Sequence, residues 1–261
     1  MKRVAVLVYG VVAYLVFFGT FLYLIGFTGN LVVPRGIDGE LQVPLWQAIL
    51  TNVALIALFG AQHSLMARSW FKKWFTQYIP EAAERSTFVL LSSVALLVLF
   101  YFWQPIGGVL WSIESPFLHG IILGIFFLGY TIVLVSSFLT NHFDLFGLRQ
   151  VWLYFRKQPY TLQKFRTPFL YEYVRHPLYF GILLAFWSAP TMSYTRLLFA
   201  LVFTIYVLKA IQWEEYDLIQ QFGDSYRKYI KQVPKILPRL VRRKSTTPAY
   251  QNIARRKGSN L

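Results

Sequence analysis

The 261-residue sequence contains no cysteine. A chain without thiols cannot form disulfides, use a cysteine nucleophile or bind zinc through cysteine ligands. Its four histidines form no His-x-x-x-His pair, so a metal centre would require histidines from separate segments to converge. We therefore predict no metal site.

Charged residues are also scarce. They make up 14% of the chain, while apolar residues make up 56% and aromatic residues 19%. An ordinary soluble domain carries about 25% charged residues, and its core cannot absorb so large an apolar share. The composition therefore indicates an integral membrane protein.

The apolar residues are concentrated in long runs. Crossing about 30 Å of hydrocarbon takes roughly 20 residues in a helix. Four runs approach or exceed that length, and two shorter runs are separated by a turn around Pro190 and Ser193; the six cover residues 4–27, 45–66, 88–103, 117–139, 178–192 and 197–211. We predict an all-α polytopic membrane protein with five to six transmembrane helices, the fifth being short.

Lysine and arginine mark one end of each predicted span. Of the 26 basic residues, only Arg35 and Arg196 lie outside four regions, namely the start of the chain, the connections after spans two and four, and the end of span six onward. Positive residues near span ends are retained in the cytoplasm. Both termini are therefore expected to be cytoplasmic, in a multi-pass protein of the cell membrane whose first span is retained rather than cleaved.

The net charge of +15 does not indicate a nucleic-acid partner. The basic residues follow the span ends rather than one recognition helix, so topology and contact with anionic membrane lipid explain them. Residues 1–238 are predicted to form a single domain with no obligatory protein partner. Residues 239–261 are basic and lack apolar periodicity, which predicts a disordered cytoplasmic tail.

Two oppositely charged clusters lie at the ends of the last two apolar segments. Arg175 and His176 precede Pro177, which favours a helix start that attracts anions. Glu214 and Glu215 extend the sixth segment, and adjacent side chains on a helix point about 100° apart, so we expect one of the two to face a pocket. Such a pocket suits a ligand with an ammonium and a carboxylate; a salt bridge between neighbouring helix ends is the alternative.

Four more polar residues are predicted to lie near this pocket and are candidates for catalysis. His63 is near the end of the second span, and Asn141, His142 and Asp144 follow the fourth. A histidine is a suitable general base, and Asp144 is placed to orient His142, although their spacing does not require contact. The alternative is that each residue only satisfies hydrogen bonds within the helix bundle.

The segments RHPLYFG (175–181) and FGDSYRKYIKQVP (222–234), with the glutamate pair between them, resemble the C-terminal half of membrane methyltransferases. These include isoprenylcysteine carboxyl methyltransferase and the phospholipid methyltransferases. The resemblance implies a half, at about 140–238, that binds S-adenosylmethionine at the cytoplasmic ends of the last helices. By the same resemblance, the cofactor-binding residues are Tyr173, Arg175, His176, Pro177, Tyr179, Gly181, Glu214 and Glu215.

Earlier segments are similar to the methanethiol S-methyltransferases, namely AQHSLMAR (61–68), ERSTFVLLSS (84–93), TNHFDLFGLRQVW (140–152) and FRTPFLY (165–171). This similarity implies direct methyl transfer to methanethiol or another small thiol, assisted by a base, giving dimethyl sulfide and S-adenosylhomocysteine. The thiol assignment rests on the similarity alone. Methylation of an isoprenylcysteine carboxylate or a lipid amine, reduction of a sterol, and a non-enzymatic scaffold or lipid-binding role remain alternatives.

Overall fold

The computed structural model describes residues 1–161 and 165–238, so the predicted disordered tail at 239–261 lies outside the described residues. The helices in chain order are α1 (Lys2–Gly29), α2 (Leu45–Met66), α3 (Ser69–Phe75), α4 (Glu81–Phe102), α5 (Pro116–Leu139), α6 (His142–Leu145), α7 (Leu148–Phe155), α8 (Pro177–Trp187), α9 (Tyr194–Phe222) and α10 (Asp224–Gln232). A 3-10 helix (Phe169–Glu172) precedes α8, and two short strands are β1 (Val109–Ser112) and β2 (Thr191–Ser193).

Five of the helices in the described ranges, α1, α2, α4, α5 and α9, are long and apolar enough to cross a membrane. The fifth predicted span forms α8, which has 11 residues. At 1.5 Å per residue α8 is about 16 Å long, well short of the hydrocarbon thickness. The prediction of an all-α polytopic membrane protein with five to six spans, one of them short, is confirmed. The antiparallel pair of β1 and β2 is a small addition that the sequence did not indicate.

Two helices extend beyond the apolar runs that predicted them. Helix α4 begins at Glu81 rather than residue 88, and α9 continues to Phe222 rather than ending at residue 211. Backbone hydrogen bonding continues through polar residues, because only the apolar part of a helix needs to match the hydrocarbon. Both extensions lie at one end of the bundle, which we call the basic end; it is formed by the end of α2, the start of α4 and residues 140–161 and 165–176.

Helices α5 and α8 approach each other most closely at two glycines. A Cβ atom at Gly129 would lie 2.6 Å from the carbonyl oxygen of Gly181, and a Cβ atom at Gly181 would lie 2.6 Å from that of Gly129. Only small residues permit backbones to approach this closely. The resemblance implied that Gly181 contacts the cofactor, whereas in the structure the backbone of α5 lies against it. The contact fixes the short α8, and with it the position of His176 at its N-cap.

Candidate active site

A buried ion cluster lies at the basic end, between the start of α8 and the polar extension of α9. Glu215 Oε1 accepts hydrogen bonds from Arg175 Nε at 2.7 Å and from His176 Nε2 at 3.1 Å. The side chains of Arg175, His176 and Glu215 are 7%, 4% and 12% exposed, so all three are shielded from solvent. Charge-assisted bonds of this kind hold the two helix ends in a fixed relation.

The same arginine also binds the segment that follows α10. Arg175 Nη1 donates to the carbonyl oxygens of Ile230 at 3.0 Å and Val233 at 2.5 Å, and the backbone N–H of Arg175 donates to Pro234 at 2.9 Å. The guanidinium thus makes two bonds to backbone carbonyls and one to a carboxylate, which use three of its five N–H donors. Arg175 therefore joins the start of α8 to α9 and to the segment after α10.

Glu214 differs from its neighbour in exposure and in pairing. Its side chain is 44% exposed, and its Oε2 lies 3.9 Å from His176 Nδ1. The Tyr179 hydroxyl also faces this carboxylate. Glu215 is therefore the shielded member of the pair and Glu214 the half-exposed one, and His176 lies near both because the two nitrogens of one imidazole lie on different edges of the ring. That only one of the two faces a ligand pocket stays a prediction.

Buried tyrosines close the cluster on the side of α10. The Tyr229 hydroxyl donates to the carbonyl oxygen of Tyr171 at 2.6 Å. Burial raises the pKa of Tyr171 to about 12. Burial, followed by the charge of Glu215, raises the pKa of Tyr226, which therefore stays a neutral hydroxyl near the carboxylates. None of these three tyrosines was among the predicted site residues, although Tyr226 and Tyr229 are three apart and so share one face of α10.

His142 lies in a separate buried cluster between α1, α5 and α6. Its Nε2 is 2.8 Å from the Tyr14 hydroxyl, its Nδ1 is 2.8 Å from Ser137 Oγ, and its ring stacks on Phe138 at 4.3 Å. Burial lowers the pKa of His142, which favours the neutral ring. The expected orientation of His142 by Asp144 is wrong, because both ring nitrogens are occupied by hydroxyl groups.

Asp144 instead holds the loop that follows α7. Its carboxylate accepts from Arg149 Nη1 at 3.2 Å and from the Tyr160 hydroxyl at 3.2 Å. Arg149 also donates to the carbonyl oxygen of Thr161 at 3.1 Å. Asn141 caps α6 with a side-chain oxygen that accepts from the Asp144 N–H at 3.3 Å, and its φ of 83° lies in the left-handed region that asparagine tolerates. Both residues therefore order the 140–161 segment.

His63 lies on α2 between two aromatic rings. The ring of Phe59 stacks on it at 5.4 Å and that of Phe88 lies at 4.8 Å, while His63 Nδ1 is 3.1 Å from Ser92 Oγ. No hydrogen bond joins His63 Nε2 to another residue in the described part of the chain. Of the two histidines proposed as a base, His63 is the one with a nitrogen free to accept a proton.

Two other residues complete the predicted set. Pro177 is the first residue of α8, as its fixed φ predicts. Tyr173 follows the 3-10 helix, and its backbone N–H donates to Leu170 at 3.1 Å. Across residues 1–161 and 165–238, no hydrogen bond or ring contact of the Tyr173 side chain brings it to the ion cluster.

Two buried amide oxygens at the basic end have no partner among the described residues. These are Oε1 of Gln62, beside His63, and Oε1 of Gln150, whose amide nitrogen donates to the Asp144 carbonyl at 2.9 Å. A buried acceptor without a donor costs about 1–3 kcal/mol, so such groups commonly meet a ligand or ordered water. Together with the Glu214 carboxylate, they would accept hydrogen bonds from ammonium, amine or hydroxyl groups of a ligand.

A cavity of about 540 Å³ lies at the opposite end of the bundle and includes Asp38 and Arg196 in its lining. These two charges neutralise each other, since Arg196 Nε donates to Asp38 Oδ2 at 2.5 Å. Ser193 also donates to the Asp38 carboxylate. The cavity therefore contains a satisfied ion pair that joins α9 to the connection after α1, and it is remote from the predicted site residues.

Comparison with known proteins supports the family suggested by the motifs. A methanethiol S-methyltransferase of Crocosphaera subtropica is 50% identical over 238 residues, which cover 91% of this chain and 93% of the relative. A methanethiol S-methyltransferase of Mycobacterium tuberculosis is 46% identical over 91% of this chain and 98% of the relative. Nurim of Bos taurus is 30% identical over 69% of this chain and 70% of its own length. No family model and no solved structure matches the chain. High identity over nearly the whole length shows that the chain belongs to the methanethiol S-methyltransferase family.

Proposed function

We propose that this membrane enzyme transfers the methyl group of S-adenosylmethionine to the sulfur of methanethiol, giving dimethyl sulfide and S-adenosylhomocysteine. The observation that carries the proposal is the shielded ion cluster of Arg175, His176 and Glu215, with the half-exposed Glu214 beside it, in a chain that belongs to this family. The basic end is proposed to face the cytoplasm of the cell, with no protein partner required and membrane lipid around the bundle.

The residues at the basic end fit the proposed methyl donor. Its ammonium and ribose hydroxyls need acceptors, and the half-exposed Glu214 carboxylate and the free oxygens of Gln62 and Gln150 can accept hydrogen bonds from them. His176 lies 3.9 Å from the Glu214 carboxylate, and Glu215 fixes the positions of both His176 and Arg175. We assign Glu214 to cofactor contact and the Arg175–Glu215 pair to positioning.

When bound, S-adenosylmethionine supplies a methyl group on a positively charged sulfur. The protein then has to align the thiol with that methyl group, keep water out and assist loss of the thiol proton. An alkyl thiol reacts as its thiolate, which for a thiol like free cysteine is a few per cent of the total near neutral pH. A proton acceptor beside the thiol would raise that fraction.

We assign the proton acceptor to His63 rather than His142. In the tautomer whose Nδ1–H donates to Ser92 Oγ, His63 Nε2 has a free lone pair, whereas both nitrogens of His142 are 2.8 Å from hydroxyl groups. Phe59 and Phe88 give the His63 site an apolar wall that suits a small thiol better than a bulky lipid chain. The wall therefore favours a one-carbon thiol over an isoprenylcysteine or lipid substrate.

The function is tested by supplying membranes containing the protein with S-adenosylmethionine and methanethiol and measuring dimethyl sulfide in the headspace. We expect product well above that of membranes from cells carrying empty vector. Parallel reactions receive an isoprenylcysteine or phosphatidylethanolamine instead of the thiol. Methylation of either acceptor without formation of dimethyl sulfide would overturn the thiol assignment.

The base is tested with the matched variants His63→Gln and His142→Gln. We expect His63→Gln to lower kcat by about 10²–10⁴, the usual contribution of general acid–base catalysis, and His142→Gln to lower it far less. A larger loss in His142→Gln, in protein that is folded and binds S-adenosylhomocysteine, would reverse the assignment.

A further inference from the structure

Arg85 is a half-buried cation that is neither among the predicted site residues nor part of the ion cluster. It lies on the polar extension of α4, and its Nε donates to the carbonyl oxygen of Leu145 at 2.6 Å. Its guanidinium carbon lies 4.7 Å from the centre of the Phe88 ring, which is also a wall of the His63 site. Arg85 therefore stands between the candidate base and the 140–161 segment.

Only one of the nitrogens of Arg85 has a partner in the described ranges. The bond from Nε to Leu145 explains why this side chain is held in place, but Nη1 and Nη2 make no hydrogen bond and no ion pair within 4.0 Å among the described residues. A guanidinium has five N–H donors, and in a half-buried position these normally meet acceptors of the protein, a ligand or water. The free edge of Arg85 is therefore available to an anionic or strongly accepting group.

The charges around Arg85 come from every neighbouring element of the basic end. Four groups interact electrostatically with it: Glu84 on α4, Asp144 on α6, Tyr160 in the loop after α7 and Glu214 on α9. The charge of Arg85 in turn acts on His63 of α2 and on Lys72 of α3. Asp144 is paired with Arg149 at 3.2 Å, and Glu214 lies 3.9 Å from His176. Asp144 is thus engaged by Arg149, and none of the three carboxylates forms an ion pair with Arg85 within 4.0 Å among the described residues.

We propose that the free edge of the Arg85 guanidinium binds the substrate sulfur and stabilises its thiolate form. This inference rests on the proposed function. The S–H bond breaks as its proton passes to His63 Nε2, and the negative sulfur lies against Arg85. A sulfur lone pair then forms the new bond to the methyl carbon, and the electrons of the broken carbon–sulfur bond stay on the leaving sulfur. Both products are neutral thioethers, and the proton on His63 returns to water.

The expected effect has two opposing parts. A cation within about 4–6 Å lowers the pKa of an anionic group by about 1–3 units. If removing Arg85 raises the pKa of the bound thiol by about two units, the thiolate fraction near neutral pH falls about a hundredfold. A less stabilised thiolate is more nucleophilic, by about tenfold for two units at a Brønsted coefficient of about 0.4–0.5. The net loss in kcat near neutral pH is therefore about tenfold.

The two parts separate when the pH is varied. In Arg85→Gln the inflection of kcat against pH moves upward by at least about one unit, and above it the rate of the variant reaches or exceeds that of the wild type. Arg85→Lys keeps the charge, so its inflection stays nearer to the wild-type value. A role confined to holding Leu145 predicts instead that the rate falls by the same factor at every pH.

The experiment measures initial rates of dimethyl sulfide formation from about pH 6 to pH 10 in the wild type, Arg85→Gln and Arg85→Lys. Arg68→Gln is the matched control, because Arg68 lies at the same end but is paired with Asp217 at 3.2 Å. We expect its inflection to match that of the wild type. Parallel profiles for the wild type and Arg85→Gln would overturn the inference.

Two further readouts keep the test decisive. If Arg85→Gln does not fold, the pH profile of the wild type alone tests the inference. The inference predicts that kcat against pH inflects at least about one unit below the pKa of the thiol in solution. An inflection at or above the solution value would contradict it. Wild-type protein that forms no dimethyl sulfide would refute the proposed function itself, whereas active wild-type protein with an unshifted inflection would refute only the role of Arg85.

Discussion

The adjacent glutamates of α9 have different tasks, and replacing each by glutamine should separate stability from cofactor binding. Glu215 is 12% exposed and lies within hydrogen-bonding distance of Arg175 and His176, with Lys235 Nζ at 3.7 Å. Glu214 is 44% exposed and only approaches His176. We expect Glu215→Gln to weaken the fold and Glu214→Gln to weaken cofactor binding.

The magnitudes follow from these contacts. Removing one partner of a buried ion pair costs about 3–5 kcal/mol, and glutamine retains one acceptor for Arg175, so the lower value of about 3 kcal/mol applies. For a chain of this size that corresponds to a fall in apparent melting temperature of about 6–12 °C. Glu214→Gln removes a hydrogen bond to a charged group, which weakens S-adenosylhomocysteine binding about 10–100-fold and changes stability by no more than about 0.5 kcal/mol.

Both quantities are measurable on purified protein in detergent. Size-exclusion chromatography after heating gives the apparent melting temperature, and calorimetry gives the affinity for S-adenosylhomocysteine. The reasoning is refuted if Glu215→Gln melts with the wild type, or if Glu214→Gln melts as early as Glu215→Gln. Unchanged affinity in a folded Glu214→Gln protein would remove Glu214 from the proposed cofactor site.

Two further predictions concern packing and pH. Gly181→Ala should destabilise the fold by about 1–3 kcal/mol, because its Cβ would lie 2.6 Å from the Gly129 carbonyl oxygen; Gly124→Ala, on α5 with open space around it, should not, and equal melting temperatures would contradict the close contact. Burial lowers the pKa of His142 in the folded protein. As the pH falls below about 6.5, the unfolded chain therefore binds a proton more readily than the folded one, and the free energy of unfolding decreases. The melting temperature of His142→Gln should therefore fall less than that of the wild type between about pH 7.5 and pH 5.5, and identical slopes would exclude this histidine as the cause.

The spans were predictable because hydrocarbon thickness sets helix length. The run at residues 45–66 matches α2, and the runs at 4–27 and 117–139 match α1 and α5 to within two residues at each end. The start of α4 was missed because polar residues carry no apolar signal, although the backbone there continues the helix. The extension of α9 through Glu214 and Glu215 was predicted, but its end at Phe222 was not. The partners of Gly181 and the short ribbon depend on tertiary contacts that no local pattern contains.

The proximity of Arg175, His176 and the glutamates was predictable from charge complementarity between two helix ends that are close in sequence. The partners of His142 were not, because Tyr14 is more than a hundred residues away, and the nearer Asp144 was the obvious candidate. Arg85 was hidden for a similar reason. Its importance follows from an unpartnered guanidinium edge, which becomes visible only when α2, α4 and the 140–161 segment are placed together.

The central claim is tested most directly by following the methyl group itself. Purified protein in lipid nanodiscs receives methanethiol and S-adenosylmethionine whose transferable methyl carries deuterium, and headspace mass spectrometry identifies the product. We predict dimethyl sulfide with one fully deuterated methyl group, formed in equal amount to S-adenosylhomocysteine and lost in Glu214→Gln at limiting cofactor. Absence of labelled dimethyl sulfide from folded wild-type protein, or deuterium found in lipid instead, would contradict the account.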